Sequence, residues 1–212
     1  MKTYLDCMPC FVRQSIQAAR RVSDDAGVHE QVLREVLQLA SELDLNRPPP
    51  LVAQIFHRRL REITGVEDPY REAKSHANRL AMEALPALEA MVRRSEDPLL
   101  EAARCAVAAN AIDMGSVTEL TEDDIRAALR GLPGQEVHGH WGRFRSAVAD
   151  AKEILYLADN AGEIAVDRLA VEALGAGRVT VAVRGAPVIN DATMEDAREV
   201  RMHELVPVVD NG

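Results

Sequence analysis

The residue types best suited to chemistry stand together at Asp159-Asn160-Ala161-Gly162-Glu163. An apolar run, Ile154–Ala158, precedes them, and a helical pattern of Ile164, Val166, Leu169, Ala170 and Ala173 follows and ends at Gly175. The run reads as a strand of a parallel sheet, apolar because it is buried on both faces. In open α/β sheets, ligands sit beyond the carboxyl ends of strands, facing the N-termini of the helices that follow. A carboxylate, a side-chain amide and a turn glycine therefore fall where chemistry is expected. Asp159 and Asn160 offer hard oxygen ligands suited to Mg²⁺ or Mn²⁺, and the helix start offers backbone N–H groups to a phosphate. The same five residues also make an ordinary strand-to-helix turn with Asp or Asn as its cap.

A second group lies downstream. Arg178–Arg184 is rich in β-branched residues and predicts a second strand. Beyond a turn at Gly185-Ala186-Pro187 come Asn190, Asp191 and Thr193, then a short helix over Met194–Val200. If the two strands are neighbours, Asp191 shares a sheet edge with Asp159. A divalent cation there relieves the repulsion between the two carboxylates. Asp191 or Thr193 can equally be a helix cap. Arg184, at a strand end, is placed either to clamp a phosphate or simply to lie on the surface. Glu163 can orient an attacking water, although acids favour the first turn of any helix. A third strand is expected over His203–Val209, after which Asp210-Asn211-Gly212 ends the chain.

These residues must be held by what precedes them, and up to about residue 150 that is helix. Helical patterns run over Phe11–Val22, His29–Leu45 and Leu51–Ile63. Asp68-Pro69 starts a long helix reaching about Arg94, with Pro86 as a kink or break, and Asp97-Pro98 starts another through Ala111. A short helix is expected from Thr121 to Arg130, and a loop over Gly131–Gly142. The division expected is a helical domain over residues 1–145 and a metal- and phosphate-binding domain over 146–212. Asn110 and Asp113, closing an apolar helix, either reach the site or cap the helix before Gly115. His138-Gly139-His140 is a weak metal signal. Cys7-Met8-Pro9-Cys10 is half of a zinc site, a redox pair, or two small packing residues; Cys105 reads as buried packing.

Composition narrows the classes. In 212 residues the net charge is −9, which argues against a partner bound through its nucleic-acid backbone. No apolar run reaches the length of a membrane span. Three cysteines, an odd number, fit a reducing cytoplasm. Neither the dinucleotide-binding glycine motif nor the P-loop is present.

Taken together, LADNAGE, RGAPVINDATMEDA and VPVVDNG resemble the damage-control phosphatases, a family of metal-dependent phosphoesterases. Cys7-x-x-Cys10-Phe11, Asp68-Pro69-Tyr70 with Lys74 and Asn78, and ANAIDMG resemble its prokaryotic branch. The resemblance spans essentially the whole chain. It implies an α/β fold: an all-helical N-terminal region, then a Rossmann-like three-layer α/β region with a parallel sheet. It implies hydrolysis of phosphate monoesters of small metabolites with a divalent ion (Mg, Mn, Co or Ni). By its motifs the metal ligands fall on Asp159, Asn160 and Asp191, and Asn110 and Asp113 fall near substrate. Where the family has Gly-Asn, this chain has Ala109-Asn110. Family members continue with further strands and a lysine motif that contacts phosphate, and nothing here matches that motif. The chain is thus expected to be incomplete, with a narrow sheet whose edge is unprotected. The alternative function is a module that binds a phosphometabolite without cleaving it.

Overall fold

A computed structural model describes residues 2–110, 123, 127, 130–131 and 138–212. The predicted short helix after Thr121 and most of the predicted loop after Gly131 lie outside the described residues, as does Asp113. Numbered along the described residues, the helices are α1 (Cys7–Val22), α2 (Ala26–Ser41), α3 (Pro49–Thr64), α4 (Arg71–Arg94), α5 (Pro98–Ala109), α6 (Trp141–Asp150), α7 (Glu163–Leu174) and α8 (Met194–Glu199). The strands are β1 (Ile154–Leu157), β2 (Val179–Val183) and β3 (Val208–Asp210), all parallel in the order β1-β2-β3. This is the mostly helical α/β architecture expected. No described helix is long and apolar enough to cross a membrane.

The chain divides into two compact units. One comprises Met1–Glu72 with Pro187–Ile189, and the other Ala73–Ala186 with Asn190–Gly212. The expected boundary at 145/146 separates helical from strand-bearing sequence. Packing divides the chain elsewhere, because α5 lies against α7 and the buried stripe of α4 belongs to the core around the sheet. In the first unit α1, α2 and α3 pack together around Phe11, Val32, Val36, Val52, Phe56 and Leu60, with the Phe11 and Phe56 rings stacked 5.5 Å apart.

Local chemistry sets the helix ends. Asp25 accepts from the Gly27 N–H and starts α2 three residues earlier than expected. Asp97 accepts from the Leu100 N–H with Pro98 at the first helical position of α5. α4 runs unbroken through Pro86, which is exposed, because Ala77, Leu80, Ala81, Leu85, Leu88 and Val92 hold both halves on one core. Trp141 and Gly142, expected in a loop, open α6.

Two strand expectations are corrected. β1 is not buried on both faces: Ile154 and Tyr156 pack on the core, while Leu155 and Leu157 are 63% and 72% exposed. A continuous apolar run does not record which face is covered, and this strand alternates with the period of a one-sided sheet. The third strand is shorter than His203–Val209. Met202–Glu204 is a single 3₁₀ turn entered through Arg201 at φ 55°, with Met202 fully buried. Pro207 has no N–H to give a ladder; its carbonyl accepts from the Val181 N–H at 3.0 Å, and residue pairing begins at Val208.

Candidate active site

Two loops at the carboxyl ends of the strands build the site, and backbone bonds lock them together. The first, residues 158–162, leaves β1 and enters α7. The second, residues 184–193, leaves β2 and enters α8. Asn160 and Asp191 form an antiparallel bridge, the Ala192 N–H donates to the Asp159 carbonyl at 2.7 Å, and the Ala161 N–H donates to the Asn190 carbonyl at 2.8 Å. Hence Asp159, Asn160 and Asp191 come to one sheet edge.

Side chains extend the arrangement. Asn110, at the C-cap of α5, donates from Nδ2 to Asp159 Oδ2 at 3.1 Å and to Glu163 Oε2 at 3.0 Å. It ends the helix and also reaches the loop, so the two readings of this residue are not exclusive. Asn160, buried, donates to the same Glu163 oxygen at 3.0 Å and accepts from Asn190 Nδ2 at 3.0 Å. Asp159 is exposed, whereas Glu163 is buried in the first turn of α7. Burial pushes the Glu163 carboxyl above its usual range; the amides of Asn160 and Asn110 oppose this, and the nearby Asp159 charge adds to it. Arg184 Nε donates to Asp191 Oδ2 at 2.6 Å, so the expected phosphate clamp and the expected metal ligand form one ion pair.

The start of α7 is more occupied than expected. The N–H groups of Ala161, Ile164 and Ala165 donate to the carbonyls of Asn190, Asn160 and Gly162, and the Gly162 N–H donates to Asn78 Oδ1 at 2.7 Å. These four amides are spent within the protein.

Among the described residues, no three His, Cys, Asp or Glu side chains come close enough to form a metal cluster by themselves. The donor set nonetheless suits a hard cation, because Mg²⁺ is typically held by one or two carboxylates with water and phosphate completing its shell. Asp159, Asn160, Glu163 and Asp191 supply oxygen alone, the wrong set for a soft ion. His138 and His140 are exposed, Cys10 is exposed, Cys7 is half-buried against the first unit's core, and Cys105 is fully buried with its thiol pushed up to about 11 by burial. Cys105 packs as expected, whereas Cys10 does not.

Sequence reasoning gave no role to several polar residues behind the site, although Asn190, Lys74 and Asn78 stand in its motifs. Asn190 orients Asn160. Lys74 and Asn78, from α4, reach the second loop and the start of α7. Asp167, one turn after Glu163, is buried and accepts from the Tyr156 hydroxyl at 2.6 Å. Lys74, Ala77, Asn78 and Ala81 share the buried stripe of α4, so two polar residues at core positions of a helix were the available signal.

Comparison with known proteins agrees with this architecture. The model of the damage-control phosphatase ARMT1-like domain matches residues 3–212. A damage-control phosphatase of Archaeoglobus fulgidus is 33% identical over 208 residues, covering 94% of this chain and 70% of the relative. A damage-control phosphatase of Pyrococcus horikoshii is 24% identical over 222 residues, covering all of this chain and 74% of the relative. The crystal structure of a DUF89 family protein from Pyrococcus horikoshii superposes with a TM-score of 0.84 at 23% identity, covering all of this chain and 74% of that one.

Proposed function

Because this chain belongs to the ARMT1-like damage-control phosphatase family, we propose that it hydrolyses phosphate monoesters of small metabolites with the aid of a divalent cation. The observation that carries this reading is the cluster of Asp159, Asn160 and Glu163, bridged by the Asn110 amide at the carboxyl end of β1. Asp159, Asn160 and Asp191 would hold the cation, and the donor set favours Mg²⁺ or Mn²⁺, with Co²⁺ and Ni²⁺ the other ions to be tried. When bound, such an ion neutralises charge on a transferring phosphoryl group and helps to orient it.

The chain's own residues do the rest. Glu163 takes a proton from the attacking water: its raised pKa makes it a stronger base than an ordinary carboxylate, and its two amide donors fix its direction. Asn110 places Asp159 and Glu163 on the substrate side, with Asp113 beside it in sequence. Arg184 presents positive charge to the phosphate while its Nε orients Asp191. The substrate is a small phosphate ester rather than a nucleic acid, in keeping with the net charge of −9, and the three free cysteines suit a reducing cytoplasm.

The test is hydrolysis of a generic aryl phosphate by this chain with Mg²⁺, Mn²⁺, Co²⁺ or Ni²⁺ and with chelator, beside Asp159→Ala. Expected is turnover that needs added metal and disappears in the variant. Turnover retained in Asp159→Ala refutes the site. Phosphate binding without turnover by a folded protein favours the non-catalytic module.

A further inference from the structure

We propose that Asn78 is a positioning residue that sets the geometry of both site loops at once. The proposal rests on reading these two loops as the phosphatase site. Asn78 is 2% exposed in the middle of the α4 stripe, where an apolar residue would be the ordinary choice. Its Oδ1 accepts from the Gly162 N–H at 2.7 Å, and its Nδ2 donates to Asp196 Oδ1 at 3.0 Å and to Glu199 Oε2 at 2.8 Å. One amide therefore fastens the end of the first loop and the helix that ends the second.

Each tether acts on a defined element. Gly162 has φ 82° and ψ −53°, a conformation open to glycine and costly for other residues. Its peptide turns the chain from the Asp159-Asn160 pair into α7, and a buried N–H there needs an acceptor. Asp196 completes a capping box with Thr193 at the start of α8, two residues after Ala192. Lys74, one turn before Asn78 on α4, pairs with the other Asp196 oxygen at 2.9 Å, and both side chains are 3% exposed. Lys74 Nζ also lies 3.5 Å from the Asp191 carbonyl. Thus α4 holds the backbone just after Asp159 and Asn160, at Gly162, and the backbone at and after Asp191.

The chemistry requires an amide of this length. Asp at this position keeps an acceptor for Gly162 but loses both donated bonds and adds a third negative charge beside Asp196 and Glu199. Ala removes the partner of the buried Gly162 N–H and of the buried Asp196 Oδ1, while Glu199 is exposed to solvent. Site groups must be held within about 0.5 Å of productive geometry, and loss of an outer tether at metal centres typically costs about 10–100-fold in affinity or activity.

The test uses the full chain as wild type, Asn78→Ala, Asn78→Asp and Val92→Ala, the last a core truncation on the same helix. Amide exchange without added metal is read over 159–164 and 190–199, and aryl phosphate hydrolysis is titrated with Mn²⁺. In Asn78→Ala both segments exchange at least about tenfold faster. The Mn²⁺ needed for half-maximal turnover rises about 10–100-fold, while KM for the aryl phosphate moves little. Asn78→Asp loosens 190–199 but leaves 159–164 protected, because the acceptor for Gly162 remains. Val92→Ala lowers the melting temperature and changes neither readout. A folded Asn78→Ala whose two segments stay protected, or a Val92→Ala that loosens them equally, overturns the proposal. If Asn78→Ala does not fold, the split expected in Asn78→Asp decides. If the wild type turns over no phosphate with any metal, the phosphatase reading falls while amide exchange still settles the tether.

Discussion

The two units bury polar groups in opposite ways. In the three-helix unit they are few, and the hydroxyls bond to backbone carbonyls: Thr3 donates to that of Arg47, Ser15 to that one turn back on its own helix, and His57 sits neutral in the core. The sheet-bearing unit buries Lys74, Asn78, Asn160, Glu163, Asp167, Asn190 and Asp196, most of them joined side chain to side chain. A hydroxyl bonded to a backbone carbonyl costs little. A network of buried carboxylates and amides costs desolvation, and each member depends on every other being paired. Such expense is usual where a fold holds a site open to chemistry.

The comparison breaks most visibly at Glu163. If the expensive polar cluster serves catalysis, Glu163→Gln should lower metal-dependent turnover by about 100-fold or more, as loss of a positioned base typically does. Stability should hold or rise, because the variant removes a charge whose burial is unfavourable. Steady-state kinetics beside a thermal melt checks both. Wild-type turnover in Glu163→Gln would leave the cluster as structure alone.

Next in size is Lys74→Met. Taking the cation from a buried pair strands Asp196, which costs about 3–5 kcal/mol, and it frees the start of α8. Urea unfolding followed through the single tryptophan, Trp141, reports on this unit. No truncation of a polar side chain in the three-helix unit should approach that loss; Ser15→Ala, which removes one bond to a backbone carbonyl, should cost about 1 kcal/mol.

The third test sets the units apart by pH. Burial, then the nearby Arg61, lowers the His57 pKa to about 4, against a smaller opposing pull from Asp68. Its folded value lies below its unfolded 6.5, so the unfolded chain binds the proton more readily. The stability held by neutral His57 is present above pH 6.5 and is lost as pH falls toward 4, by up to about 3 kcal/mol. Amide exchange over α3, corrected for the intrinsic pH dependence, should show the loss, and His57→Phe should remove it.

What could be read from the sequence divides along the same line. Helices whose apolar stripe and caps agree were legible, and so was the strand–turn–helix around Asp159, because local pattern and turn chemistry both point there. Asn160 and Asp191 were placed at one edge because parallel neighbours bring their carboxyl ends together. The uncovered face of β1 was not legible, since an apolar residue looks alike on a covered face and an open one. Nor was the pairing of Arg184 with Asp191, or the reach of Lys74 and Asn78 to residues more than a hundred positions away, as no local period records contacts at that separation. The readable signal was the weaker one of polar residues on an apolar stripe.

Asp167 gives the sharpest contrast with His57. Its carboxyl is fully buried, and one oxygen takes the Tyr156 hydroxyl while Oδ2 has no partner among the described residues. Burial holds its pKa well above the ordinary 3.8, the charges of Glu163 and Asp159 push the same way, and the Tyr156 bond opposes them. A carboxyl whose folded pKa is raised binds its proton more tightly in the native state. Its stabilisation is complete below the unfolded value and is lost as pH rises above it, opposite in sign to His57. Asp167→Asn keeps the shape and the acceptor for Tyr156 while removing the charge. The variant should therefore match the wild type near pH 4 and gain on it with each step toward pH 8, by about 1–3 kcal/mol, the usual cost of an unpaired buried polar group. Trp141 fluorescence during urea unfolding across that range measures the gap. A gap that stays constant with pH would mean that Asp167 titrates alike folded and unfolded, and the opposite response of the two units to pH would not hold.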